Sequence, residues 1–249
     1  MYNLKLVTRI VKFFCLMCSI PLLCLSDLNG QIAEPVVRTF NMGAMVQSKT
    51  IGLDLKLAFK KSDKFSTLFD LDFVSIKHPK EQKVTNNRYS NGGPFVYGKL
   101  NHFHALRLGY GIKKDLGRRV SRNTINVAAI GVIGIDLGFL KPVFLEITQP
   151  DSFQELSQIE AFDPTQHNPD NIVGGAGYFH GFDEIQFKPG AYGKVGLEFG
   201  WGNYRTSYMV VEVGATLDMF LSKIPIMHIA ENKSVFSGFY VSFAFAKIY

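Results

Sequence analysis

Between Gly138 and Phe187 the sequence gathers Asp163, His167, Asp170, His180, Asp183 and Glu184. Carboxylates and imidazoles are the groups that hold divalent cations. Their spacing matches no metal signature, and loop Asp side chains commonly close local turns, so no metal site is assigned. His102 and His104 stand two apart, on one face with Leu100 and Leu106. A histidine at a lipid interface could act as the base of an acyl hydrolase or transferase, chemistry that also needs a nucleophile and an orienting acid. The apolar face expected beside them, Ile125, Val127 and Ala129, offers no Ser, and the pair reads as part of an aromatic belt. Asp70 and Asp72 could bring two carboxylates within hydrolase-like reach. Pairing with Lys56 or Arg107 is the better-motivated role for them. GGAGYFHGFDEI (174–185) fails as a dinucleotide fingerprint, because His180 stands where the third glycine is needed. The sequence holds no nucleophile elbow, P-loop, zincin helix or redox cysteine pair. No catalytic residue, cofactor site or metal ligand is assigned, and the chain reads as non-enzymatic.

The elements that must position these groups are strands. Apolar residues recur with period two, the mark of a strand with two unlike faces. Ile51, Leu53, Leu55, Leu57 and Phe59 oppose Asp54, Lys56 and Lys60. Phe65, Thr67, Phe69, Leu71 and Phe73 oppose Ser66, Asp70 and Asp72. Leu106, Leu108, Tyr110 and Ile112 oppose Arg107 and two glycines, and Ile125, Val127, Ala129, Ile133, Ile135 and Leu137 oppose Thr124, Asn126 and Asp136. Val195, Leu197, Phe199 and Trp201 oppose Lys194 and Glu198, and Met209, Val211, Val213, Ala215, Leu217 and Met219 oppose Tyr208, Glu212 and Asp218. Phe239, Val241, Phe243, Phe245 and Tyr249 close the chain on one face. A weaker strand near Val37–Val46 brings the total to eight.

The links fall near 47–49, 61–64, 78–94, 113–121, 138–187, 202–205 and 222–234. Every second link from 61–64 onward is short, and the others, apart from the first, are long. An antiparallel meander sorts such links to opposite ends, the layout of a barrel with short periplasmic turns and long outer loops. A soluble lipocalin-type barrel would turn its apolar face inward, around a ligand. Nearly charge-free apolar faces about ten residues long favour the lipid-facing arrangement, as do aromatics near their ends. The expected fold is therefore all-β, an eight-stranded antiparallel up-and-down transmembrane β-barrel with long extracellular loops. Lipid cannot satisfy backbone groups, so Gly238–Tyr249 must pair with the first strand. Eight strands leave room only for side chains. Asp54, Lys56, Asp70, Asp72, Lys99, Arg107, Lys194, Glu198, Glu212 and Asp218 are the inward charges expected to plug the interior as ion pairs. Within 138–187, Ser152 and Glu155 form a capping box, which predicts a short helix over DSFQELSQIEAF (151–162) capping the barrel mouth.

Lys5, Arg9 and Lys12 precede an apolar stretch from Phe13 to Leu25. This pattern predicts a signal peptide over residues 1–30, cleaved after Gly30, too short in its apolar part to span a bilayer comfortably. The barrel then occupies 31–249. All three cysteines (Cys15, Cys18 and Cys24) fall in the leader, and its removal lowers the net charge from +6 to +4. A charge that small and scattered excludes a nucleic-acid protein.

The NGQ end of the leader, the cysteine-free barrel and the terminal aromatic strand resemble small outer-membrane β-barrel proteins of Bacteroidetes-type bacteria. YGKLNHFHALRLGYG (97–111), KPVFLEI (141–147) and GFDEIQFKPGAYGKVGLEF (181–199) resemble a recurring group among them that has no established activity. The resemblance implies a bacterial outer-membrane location, contact with outer-membrane lipid, and recognition of the C-terminal strand by the barrel-insertion machinery. The function expected is binding through loops 78–94 and 138–187, to a partner protein, glycan or lipid, or as an accessory subunit of an envelope complex. The alternatives are an outer-membrane lipid-modifying enzyme and a soluble lipocalin-like carrier.

Overall fold

The fold is that of a computed structural model, which describes residues 37–48, 50–89, 92–117, 125–148, 157–203 and 206–249. The expected signal peptide (1–30) lies outside the described residues. Among the described residues thirteen strands follow in order: β1 (Arg38–Gln47), β2 (Thr50–Lys60), β3 (Phe65–Ile76), β4 (Lys83–Val84) and β5 (Phe95–Val96). Then come β6 (Asn101–Asp115), β7 (Asn126–Pro142), β8 (Phe144–Thr148), β9 (Ser157–Ala161) and β10 (Ile172–Gly175). The last are β11 (Gln186–Asn203), β12 (Ser207–Phe220) and β13 (Val235–Ile248). Eight of them, β1, β2, β3, β6, β7, β11, β12 and β13, form a closed antiparallel barrel in chain order. The seam closes as expected: β1 pairs with β13 from Thr39↔Ile248 to Gln47↔Tyr240. Beyond it Arg38 and Tyr249 exchange both backbone hydrogen bonds, at 3.2 and 2.8 Å. Closure leaves no edge of unpaired backbone, which is what a hydrocarbon environment demands.

The pleat sends alternate residues in and out, and the two faces are inverted relative to a water-soluble barrel. Outward residues are large and apolar, with Phe239 83%, Phe245 68% and Ile51 65% exposed. Inward, Arg107 and Asp54 are fully buried. Soluble monomers rarely expose contiguous apolar surface on this scale, so the outer wall is built for lipid. The lipocalin-type alternative, with its apolar face inward, does not fit this burial.

The interior is solid and layered. At its middle, four cations meet seven carboxylates. Lys56 bonds Asp54 and, at 2.7 Å, Glu212. Lys194 reaches Asp70 at 3.1 Å and Asp72 at 3.0 Å, and Arg107 reaches Asp218 at 2.8 Å. Lys113 pairs with Glu198 toward the short-turn end, and Asp136 is buried on β7 opposite Arg107. Tyr192 donates to Asp70 and Tyr240 to Glu212, tying both rings into the network. Glycines make room for those rings: a Cβ at Gly109 would lie 2.0 Å from the Tyr192 hydroxyl, and one at Gly196 2.7 Å from that of Tyr240. Lys99 is a correction, since it stands outside the barrel strands, paired with Glu81 at 2.7 Å. Lys113 takes part in its place, paired with Glu198, and Asp136 adds a further buried carboxylate.

At the loop end an apolar layer closes the lumen, with Met45, Val74, Phe103 and Leu140 from the wall. Its lid is Ile224, Ile226 and Met227 from the link between β12 and β13, held by Leu100 N–H to Ile226 O at 2.9 Å. The long segment after β7 does not supply this cap, and it is not helical where described. Residues 157–161, the second half of the expected helix, form β9 and pair with β8 from Phe144↔Ala161 to Thr148↔Ser157. Residues 151–156 lie outside the described residues. Pairing with the apolar β8 overrides a local helical pattern, because strand preference is decided largely by tertiary partners.

Candidate functional site

The loop end carries the structured surface that the barrel itself does not need. β8 joins β9 and β10 in a three-stranded sheet, and β4 pairs with β5. Phe95 from one loop packs with Val143, Leu145, Ile147, Phe162 and Ile172 from the other in a second small core. Asn86 donates to Ile172 O at 2.8 Å, Arg88 reaches Asp170 at 3.3 Å, and Tyr89 donates to Asp170 O at 3.4 Å. The described residues of 78–94 and of the link between β7 and β11 thus form one surface; that link runs over 143–185, shorter than the expected 138–187, because β7 and β11 extend beyond the bilayer-length alternation.

The sequence candidates for metal binding are dispersed over this surface. Asp163 closes its own turn, accepting from Thr165 N–H at 2.9 Å and from the Thr165 hydroxyl at 2.7 Å. These bonds hold its carboxyl below the ordinary value. His167 is buried, its Nδ1 accepting from Asp163 N–H at 3.0 Å and its Nε2 lying 3.4 Å from Glu160. Asp170 faces Arg88, and His180 packs on Phe144. Asp183 and Glu184 are exposed. Among the described residues, no three His, Cys, Asp or Glu side chains converge on a metal-sized site.

His102 and His104 project outward at the barrel rim, on the face expected, but their neighbours differ from those inferred. The register sets His102 opposite Lys141 and His104 opposite Phe139 on β7, and His104 opposite Ser75 on β3. Val127 and Ala129 belong to the other end of β7, and Ile125 immediately precedes it. His104 stacks on Phe73 at 5.8 Å and its Nε2 lies 2.9 Å from the Tyr178 hydroxyl. Lys141, missed in the sequence, donates to Tyr178 O at 2.7 Å and His180 O at 2.9 Å. No local pattern marks it, since its neighbours come from a strand and a loop that only the fold brings together. Asp70 and Asp72 lie in the lumen, bound to Lys194 and shut away from any substrate. An open apolar groove of about 500 Å³ runs along the mid-wall past Phe40, Leu57, Phe69, Tyr110 and Ile133, away from the rim.

No protein-family model matches the chain, and no curated protein does. Among solved structures it is similar to Ail, the attachment invasion locus protein of Yersinia pestis, in complex with the heparin analogue sucrose octasulfate. That likeness has a TM-score of 0.38 and 9% identity, over 86% of this chain and 96% of that one. A major outer membrane protein from Thermus thermophilus gives 0.45 and 8%, over 87% of this chain and 100% of that one. Neisserial surface protein A gives 0.36 and 8%, over 85% and 94%. At such values the likeness adds nothing to the barrel topology that the strand pairing itself gives.

Proposed function

We propose that this chain is a non-enzymatic bacterial outer-membrane barrel that works through its loop end. There it would bind a partner protein, glycan or lipid, or join a larger envelope complex as an accessory subunit. One observation carries the reading: the lumen is filled along its length, while the two longest loops are stitched into a shared, cored surface at a single end. A solid barrel offers no route for a solute, and loops of this length with their own core are commonly functional. Replacing residues 151–172 by a short Gly–Ser linker should leave the heat-dependent gel mobility of the barrel intact. It should also remove whatever co-purifies with the protein from mildly solubilised outer membranes; an unchanged set of co-purifying components overturns the reading. Residues 1–30 would act as the export signal, which N-terminal sequencing of the mature protein checks. The aromatic β13 would serve the insertion machinery. The resemblance of 97–111, 141–147 and 181–199 to that group supports a Bacteroidetes-type origin.

A second reading has one specific support. Ser75 stands directly opposite His104 on the lipid-facing wall, and a Ser beside a His is the start of an acyl-transfer site. No hydrogen bond joins the two. Mass spectrometry of membrane lipids from cells making the Ser75→Ala or the unaltered protein decides this reading, and identical profiles remove it.

A further inference from the structure

The mouth of the barrel is sealed by Ile224, Ile226 and Met227, so the glycine-rich turn 176–185 is free to do something else. It comes down onto the outside of the wall. Tyr178 meets the outward His104 at 2.9 Å. Lys141, outward at the end of β7, pins the turn through the carbonyls of Tyr178 and His180. Its ammonium also lies 4.6 Å from the centre of the Tyr178 ring and 5.2 Å from that of Phe182. Gly181 has a positive φ of +81, and a Cβ there would sit 2.5 Å from the Phe144 ring, so this close approach needs glycine. Held in this way, the turn points its apolar surface away from the protein: Phe179 is 84% exposed, and Tyr178 and Phe182 are about half exposed.

Three clustered rings at the tip of a pinned turn are costly to leave in water. Their surroundings say what covers them. Phe73 stacks on His104, and Phe139 packs on Phe187 at 5.4 Å, continuing the arc along the same outer wall. That arc is continuous with the apolar outer face of β3, β6 and β7. Counting eight residues from Ile112 to His104 on a tilted strand gives a rise of roughly 20 Å, close to the top of an apolar band about 25 Å tall. Aromatic rings with a polar tip settle at that height.

We propose that residues 176–185 are a membrane-interface clamp, which lays Tyr178, Phe179 and Phe182 into the boundary between headgroups and acyl chains of the outer leaflet. The proposal rests on the membrane-spanning reading of the barrel. Lys141 is a positioning residue, and the lipid surface is the partner. The clamp grips one side of the rim, so it sets the depth and tilt at which the sheet at the loop end stands above the membrane.

The chain has a single tryptophan, Trp201, at the short-turn end of β11 and partly exposed on the outer face. The test uses the full barrel in phosphatidylcholine vesicles whose acyl chains are brominated either near the headgroup or near the chain end. In a Phe179→Trp, Trp201→Phe variant, the tryptophan introduced at 179 should be quenched at least twofold more by the shallow bromines than by the deep ones. Adding Lys141→Met should halve that quenching while the heat-dependent mobility shift of the barrel remains. An unquenched tryptophan at 179, with Trp201 of the unaltered protein quenched normally, overturns the clamp alone. Absence of quenching at both positions overturns the membrane reading as well. Quenching unchanged by Lys141→Met overturns the part assigned to that residue.

Discussion

Lys194 sits where three lumen carboxylates meet, within 3.1 Å of Asp70 and Asp72 and 4.0 Å of Glu212. Removing one member of a buried ion network leaves uncompensated charge, at a cost of about 3–5 kcal/mol. Lys194→Met should lower the unfolding midpoint in urea accordingly, and adding Asp70→Asn and Asp72→Asn should recover a large part of the loss. A Lys194→Met protein as stable as the parent would show that the network is not what fills the lumen. Gly134 tests the same layer by shape. A Cβ there would lie 2.1 Å from the Leu108 carbonyl oxygen, a backbone atom that no rotamer can move, and 2.6 Å from the Tyr192 ring. Gly134→Ala should therefore destabilise by about 1–3 kcal/mol, read from the same unfolding curve. Outside the wall, Asp163 gives a pH signature of known sign. Its folded carboxyl is held below the ordinary value by the Thr165 hydrogen bonds. Its contribution to the 163–167 turn is thus complete above the ordinary carboxylate range and lost as pH falls through the lowered folded value. Protection of the Thr165 amide, its exchange rate relative to the intrinsic rate at the same pH, should fall only in that acid range, and a loss of protection near neutrality would contradict the assignment.

At the scale of elements, the seam between the two long loops is the feature most open to direct attack. A Cβ on Gly92 would lie 2.1 Å from the Val173 carbonyl oxygen. Gly92→Val should separate the loops, speeding hydrogen exchange in 83–96 and 169–175, with the barrel midpoint unchanged. Equal protection in both proteins would mean that the loops do not depend on each other. This seam also marks where the sequence stopped being legible. The eight wall strands were readable because lipid on one side and packed charge on the other enforce a strict period of two over ten or more residues. β8, β9 and β10 are four or five residues long, too short for periodicity to separate strand from helix. The Ser152–Glu155 pattern therefore suggested a helix where β9 lies. The plug residues Ile224, Ile226 and Met227 straddle Pro225 in a link with no regular pattern, so nothing local marked them as a lid. Lys141 beside His102 is a fact of register, and single-sequence patterns carry no register between strands.

For the whole molecule, the charged middle layer and the apolar lid together predict an impermeable barrel. Planar-bilayer recordings should show no discrete conductance steps, and a steady open channel would refute the filled lumen. The central claim is the inversion itself, apolar outside and charged inside, and β12 tests it with least disturbance. All three cysteines lie at positions 15–24, so a barrel made without residues 1–30 takes single cysteines cleanly. Spin labels in lipid vesicles at Met209, Val211, Val213 and Leu217 should be broadened strongly by dissolved oxygen, and labels at Val210 and Thr216 should not. The account predicts that period-two alternation, in that phase, along the middle of the strand. Alternation in the opposite phase, or broadening by a water-soluble relaxant at Val211 and Val213, would contradict it.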